Sequence, residues 1–376
     1  MPFGAHSTHQ SKENLAGEMG LEGEVISVFE TINAIHVKMD AKEAEKWRND
    51  SRVEYVEQDM MVTTTETIQN NPGWGLDRID ELSATLDNTY RYKNTGAGQT
   101  IYILDTGLTL ENTAVAAEFG DRATIFWDVN GGAGRDCNGH GTRVASVAAG
   151  NTKGVAKGAN LIIAKIAIDT ANQPCTGNSA VSTSILAFNW LAMNAPAGTI
   201  VNWSHGFSNQ NQICSLGLIS TNLENSIRAA HNAGIIVVVA AGNDGCDTAN
   251  YSPTRIPEAF VVGATGSNRI PFGQDARASF SRTGANISAF APGQAVAAIN
   301  QNGSNVITSG TSFSAPYISG VFAVACEAVQ AFCRDATSAT ALYTALRDTG
   351  TLNTVTNTNG APLPSNTTSR FISQQW

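Results

Sequence analysis

The sequence predicts an α/β fold, a doubly wound and mostly parallel sheet with helices on both faces, preceded by a small α+β unit. Three observations point there. From residue 99 onward, β-like runs alternate with helical ones. The strand runs, roughly 100–104, 160–167, 199–204, 235–240 and 260–264, are rich in Ile and Val and lack polar alternation, as strands covered on both faces do. The residues with chemistry to offer fall just past those strands or at helix starts, where such a sheet places its sites. Helices are expected at 140–149, 180–194, 220–233, 312–330 and 337–347.

The first sixth of the chain differs in composition. Residues 1–66 carry 13 acidic and 6 basic side chains, a net charge of −7 out of the overall −9. Within it, 24–29 reads as a strand, 34–39 as a second, and Asp40 as the N-cap of a charged amphipathic helix. Val53–Asp59 is expected to close this unit as a strand. Residues 60–72 are polar and Thr-rich, a linker composition. The remainder, 67–376, is read as one large domain. Its 350–376 stretch is polar, with Asn-Gly and Pro turns and a last strand-like run at 369–372.

Charged residues are only 15% of the chain against 35 glycines, which fits a tightly packed enzyme with many turns. No basic patch argues for nucleic acid, and no apolar run approaches the ~18 residues of a spanning helix. The opening Met1–His6 has no apolar signal core. Six cysteines permit three bridges, and no C-x-x-C pair suggests zinc.

The centre of the chain's chemistry is Gly310-Thr311-Ser312-Phe313-Ser314-Ala315-Pro316, followed by a long small-and-apolar run that reads as a buried helix. Ser312 then sits in the first turn, where free N–H groups face an approaching group. A serine nucleophile needs a base, and the base needs an orienting carboxylate. His140, in Asn138-Gly139-His140-Gly141-Thr142, and Asp105, after the strand run Thr100–Leu104, are the candidates. Singly, each motif is weak. A lone His is more often a structural hydrogen-bonding group, and Ser-Ala-Pro more often a turn. There is no Gly-x-Ser-x-Gly elbow, which disfavours an α/β-hydrolase lipase. Ala240-Ala241-Gly242-Asn243-Asp244-Gly245, after the run Ile235–Val239, reads equally as a plain turn or as a site loop.

Taken together, the three motifs in the order Asp, His, Ser resemble the subtilisin superfamily of serine peptidases, and most closely its secreted proteinase K-type branch. The resemblance spans roughly residues 22–376. It implies a subtilisin-like catalytic domain at 67–376 and an inhibitory, chaperone-like propeptide at 1–66, including the Val-Glu-Tyr-Val-Glu-Gln-Asp ending, with self-cleavage between about Met61 and Thr67. Pro72–Ile79 is similar to the start of the mature enzymes, with Gly73 as an extra residue. The resemblance assigns Asp105, His140 and Ser312 to the triad and Asn243, with the Ser312 N–H, to the oxyanion hole. Extended peptide would lie between Ser204-His205-Gly206 and the segment around Thr176-Gly177-Asn178, with Ala240, Ala241 and Gly242 bordering the first specificity pocket. A secreted monomer acting on peptide and protein substrates follows, with no catalytic cofactor and with its own propeptide as inhibitor.

Three positions depart from the pattern. His205 stands where leucine is usual, and is read either as an outer-subsite group or as a partly exposed residue with no special role. Arg143 replaces a second histidine, and its charge is expected to lower the pKa of His140. Ser288 stands where the branch often has a calcium-binding aspartate, so the resemblance allows structural calcium but puts one usual site in doubt. Cys137 and Cys175 match a bridge of bacterial members. Cys214 and Cys246, with no such match, are left to each other. Cys326 and Cys333 on one straight helix would stand ~10.5 Å apart, beyond the ~7 Å a disulfide tolerates. They bridge if the helix ends near Gln330, and are otherwise buried thiols. The readings kept against a secreted peptidase are a non-catalytic binding protein with a clamped propeptide and a cytoplasmic peptidase with free thiols.

Overall fold

The computed structural model describes residues 22–32, 34–59, 66–170, 174–207, 217–270, 274–329, 335–350, 355–357 and 359–374, with isolated residues between them. The chain divides into two compact units, Met1–Thr64 and Thr65–Trp376. In the first, β1 (Glu24–Phe29) and β2 (Ala34–Lys38) pair antiparallel, with Val28 opposite Ile35 and a bulge between Val25 and Ser27. Helix α1 (Ala41–Arg48) follows, and the Asp40 carboxylate accepts from the Glu43 N–H at 2.8 Å, as an N-cap should. The strand expected at 53–59 does not form. Only β1 and β2 make up this sheet among the described residues, and 53–59 pairs with neither of its edges. The bonds between Met61 and Thr65 lie outside the described residues.

The second unit opens with β3 (Thr67–Asn70), α2 (Trp74–Ile79) and β4 (Thr89–Tyr92), which pairs antiparallel with β3. The main sheet is built from β5 (Thr100–Asp105), β6 (Ala123–Asp128), β7 (Asn160–Lys165), β8 (Ile200–Trp203), β9 (Ile236–Ala240), β10 (Phe260–Ile270), β11 (Gln274–Arg277), β12 (Ile287–Gln294) and the short β15 (Val355–Thr356). Its order is β15-β11-β10-β9-β8-β5-β7-β6, with β12 also paired to β10. The six strands from β6 across to β10 are all parallel. Most of their Ile and Val side chains are buried, on both faces, which is why the runs lack polar alternation. A hairpin of β13 (Val296–Ile299) and β14 (Asn305–Thr308) leads into the serine helix.

Helices cover both faces. α4 (His140–Ala149) and α7 (Thr311–Ala328) pack against each other over β5, β8, β9 and β10. α5 (Val181–Asn194) and α6 (Thr221–Asn232) pack as a pair, with α3 (Thr113–Phe119) and α8 (Ala336–Thr349) at the flanks. Thr311 to Cys326 are all buried, so α7 is a core helix up to its last two residues. The chain passes from β5 to β6 and β7 on one side and then returns to β8 on the other. The crevice at the carboxyl ends of β5 and β8 is therefore the topological switch point, where sheets of this kind place their ligands.

The expected sheet and helix pattern is present, with boundaries within a few residues. The run at 369–372 contributes one parallel bridge, Phe290 to Phe371, rather than a strand. All six cysteines are paired, 137–175, 214–246 and 326–333. The last pair closes because α7 ends at Ala328, which brings the two Cα atoms to 5.6 Å.

Candidate active site

Asp105 is the last residue of β5 and is fully buried. Its Oδ1 accepts from the Thr106 N–H at 2.8 Å and stands 2.7 Å from His140 Nδ1. With the carboxylate ionised, Nδ1 is the donor, which leaves Nε2 of the neutral ring free to accept a proton. Burial works against charge at both groups. It is outweighed at Asp105 by His140 and then His205, which hold the carboxyl far below the usual range. Burial also opposes a charged His140, yet Asp105 lifts its pKa above the ordinary histidine value. Arg143 does pull it down, as expected from sequence, but the net shift is upward because the carboxylate is in direct contact.

His140 is the first residue of α4, and the turn before it is held by a residue that the sequence reading passed over. The buried Asp136 carboxylate takes Thr106 Oγ1 at 2.9 Å, the N–H groups of Asn138 and Gly139 at 3.1 and 2.7 Å, and the N–H and hydroxyl of Thr142 at 2.8 and 2.7 Å. An acid ahead of a helix start was the available signal. Gly139 is needed at φ 92°, and a Cβ there would come within 2.6 Å of Asn300 Oδ1.

Ser312 is the second residue of α7, so its N–H is among those with no intrahelical partner. Phe313 packs on the His140 ring with centroids 5.3 Å apart, which brings this end of α7 to the histidine. Pro316 lies four residues beyond Ser312 and has no N–H to give to the Ser312 carbonyl. The Ser204 hydroxyl donates to that carbonyl instead, at 2.9 Å. Ser204 Oγ in turn accepts from Asn202 Nδ2 at 2.8 Å, and Asn202 Oδ1 accepts from Ser319 Oγ at 3.1 Å. A buried chain of hydrogen bonds therefore runs from the core to the backbone of Ser312.

Asn243 follows β9. Its Oδ1 accepts both the N–H and the hydroxyl of Thr311 at 2.9 Å. Pinning the carbonyl end this way fixes where the NH2 end points. A Cβ on Gly310 would lie 2.9 Å from Ser312 Oγ and 3.5 Å from Asn243 Nδ2, so only glycine lets hydroxyl and amide converge here. Thr311 also takes the Gly242 N–H at 3.0 Å, a bridging role that its motif position alone does not reveal.

A cavity of about 190 Å3 joins Thr106, Asn138, His140, Thr176, Gly177, Ser204 and His205. Asn178 is exposed at its edge, with its carbonyl already accepting from Ile168. Gly206 is exposed, and among the described residues nothing lies within 4 Å of where its side chain would be. Ala240, Ala241 and Gly242 do not line this cavity. The two alanines are buried, and the room beside Gly242 is filled by the Arg282 guanidinium, 2.6 Å from an added Cβ. His205 is turned inward with its side chain only 11% exposed, Nδ1 3.1 Å from Ser179 Oγ and Nε2 3.7 Å from Asp105 Oδ1.

Calcium finds little support at the position in doubt. Ser288 is buried, accepting from the Val261 N–H at 3.0 Å and paired with the Tyr343 hydroxyl at 3.3 Å, and it offers no anionic oxygen. Asp77, Glu81 and Asp87 come together elsewhere, but Asp77 is engaged by the Asp87 and Asn88 N–H groups and Asp87 by Thr89 and Arg91.

With this geometry in view, likeness to known proteins becomes decisive. The model of the subtilase family matches residues 96–365. The chain belongs to the subtilase family. Its relatives include an extracellular serine proteinase from a Thermus species, 37% identical over 313 residues, 81% of this chain and 70% of that protein. Alkaline serine exoprotease A of Vibrio alginolyticus is 34% identical over 325 residues, 84% of this chain and 56% of that one. The subtilase chain described here thus spans little more than half the length of the Vibrio protein. A cold-adapted subtilisin-like serine proteinase of known crystal structure superposes with a TM-score of 0.68 at 31% identity, covering 82% of this chain and all of the other.

Proposed function

We propose that this subtilase is a serine endopeptidase that works through an acyl-enzyme. The observation that carries the reading is the Asp105–His140 contact at 2.7 Å, together with a serine at the head of α7 whose hydroxyl and the Asn243 amide both approach Gly310. Ser312 Oγ attacks the scissile carbonyl and His140 Nε2 takes its proton, while Asp105 holds the tautomer and stabilises the imidazolium. The tetrahedral oxyanion receives hydrogen bonds from Asn243 Nδ2 and the Ser312 N–H. Collapse sends the proton to the leaving amine, and water then hydrolyses the ester. No step requires a cofactor.

Peptide substrate lies extended between Ser204–Gly206 and Thr176–Asn178, adding a strand between two backbone rims. Residues 1–66 act as a propeptide that is removed by self-cleavage, and the mature enzyme is a secreted monomer. The three disulfides and the extracellular relatives support secretion. The test is hydrolysis of a fluorogenic peptide by the native chain and by Ser312→Ala. A fall in kcat of about a millionfold supports the reading. Equal turnover by the two proteins would refute it.

A further inference from the structure

Asp105 is shared by two histidines. His140 Nδ1 lies 2.7 Å from its Oδ1, and His205 Nε2 lies 3.7 Å from the same atom. The rings stand nearly perpendicular, 81° apart with centroids at 6.1 Å. Asp105 Oδ2 and His205 Nε2 are both buried, and among the described residues neither has a hydrogen-bond partner. His205 is held in this pose from its far side, where Nδ1 meets Ser179 Oγ. One donor atom from each of Asp105, His140 and His205 lies within 4.8 Å of the others.

Two imidazoles and a carboxylate form a donor set for a borderline divalent transition metal, zinc above all. Metal–ligand bonds of about 2.0–2.2 Å put donors of a tetrahedral site about 3.3–3.5 Å apart. The 3.7 Å separation lies within a few tenths of that, and the 2.7 Å contact opens once an ion replaces the shared proton. The adjoining cavity of about 190 Å3, lined by both histidines, gives entry and room for water as a fourth ligand.

We propose that Asp105, His140 and His205 form an inhibitory binding site for a divalent transition metal ion of zinc's class. An ion on Nδ1 of neutral His140 displaces that proton to Nε2, so the ring stays neutral with its tautomer reversed. If His140 starts protonated, one proton leaves to solvent. In either case Nε2 carries a hydrogen and cannot accept one from Ser312. This consequence rests on the peptidase reading above, whereas the binding itself does not.

The test titrates zinc sulfate into the full-length Ser312→Ala protein by calorimetry, with Asp105→Asn and His205→Leu each added to that background and melting temperatures recorded. One ion per chain is expected, with affinity falling roughly tenfold or more in either variant. Binding unchanged in both variants would put the ion elsewhere and overturn the site. So would the absence of binding to a Ser312→Ala protein that melts normally. In the native chain, zinc should slow labelling of Ser312 by a fluorophosphonate, and EDTA should restore it. A native chain that takes no probe under any condition, while Ser312→Ala still binds zinc through these residues, would sink the peptidase reading and leave the metal site standing.

Discussion

Two buried arginine–aspartate pairs in this molecule have nearly the same chemistry and different neighbours. Arg78 meets Asp275 through Nε at 3.0 Å and Nη2 at 2.7 Å, both side chains at most 2% exposed, with the guanidinium 3.7 Å over the Phe371 ring. Arg282 meets Asp244 through Nε at 2.7 Å and Nη2 at 2.6 Å, with the guanidinium 3.4 Å over Tyr251. The first pair ties α2 to β11, and none of its partners belongs to the candidate site. The second carries the loop that holds Asn243, since Arg282 also donates its backbone N–H to Gly242 at 3.1 Å and Nη2 to the Phe207 carbonyl at 2.9 Å. The same kind of brace thus serves stability in one place and the geometry of both cleft walls in the other.

Breaking either pair by removing the arginine leaves a buried carboxylate uncompensated, which costs about 3–5 kcal/mol. Arg282→Ala and Arg78→Ala should therefore lower urea midpoints by similar amounts. Only Arg282→Ala should also lose kcat when assayed well below its melting temperature. Equal activity loss in the two variants would erase the contrast. Asn243→Ala sharpens it from the other side, because it removes the amide and spares the brace. The expected loss is about a hundred- to a thousandfold in kcat, with a stability cost of about 1–3 kcal/mol because the Thr311 N–H and hydroxyl lose their acceptor.

A smaller effect is expected from the neutral brace on the same wall. Ser204→Ala strips the Ser312 carbonyl of its donor and should cost about 1–3 kcal/mol. In a Pro316→Ala background the helix regains an N–H for that carbonyl, so the same change should cost less. A double-mutant cycle with coupling of about 1 kcal/mol would show this. Strict additivity would disprove the account of Pro316.

The smallest effect is on pH dependence. The pKa of His140 is raised in the fold, so the charged Asp105–His140 pair adds stability at pH below the unfolded histidine value of about 6.5, and that stability fades as pH rises through the folded value. Activity runs the opposite way, because catalysis needs the neutral ring. The acid limb of kcat/KM should accordingly have its midpoint above about 6.5. Arg143→Leu should move that midpoint further upward, since Arg143 opposes His140 protonation.

Much of this architecture was legible because it is local. The apolar runs behind β5, β7, β8 and β9 mark parallel strands, and Gly310–Pro316 marks the head of a buried helix. What stayed hidden depends on contacts remote in sequence. Arg282 reaches Asp244 across 38 residues, and Thr311 reaches Asn243 across 68. Ser204 acquires its partner 108 residues away through a gap that Pro316 creates. His205 could be recognised as an unusual residue, but not as one turned toward Asp105, because rotation at a strand end follows packing rather than pattern. At 53–59 a strand was expected, yet the run pairs with neither edge of the β1–β2 sheet, and such pairing is not written in the run itself.

The most direct test of the central claim is the intact mass of freshly purified protein and of its Ser312→Ala counterpart, each before and after a fluorophosphonate probe. The account predicts a native chain shortened near residues 61–67 and labelled once on Ser312, with the alanine form full-length and unlabelled. Folded native protein that stays full-length and takes no probe would contradict it.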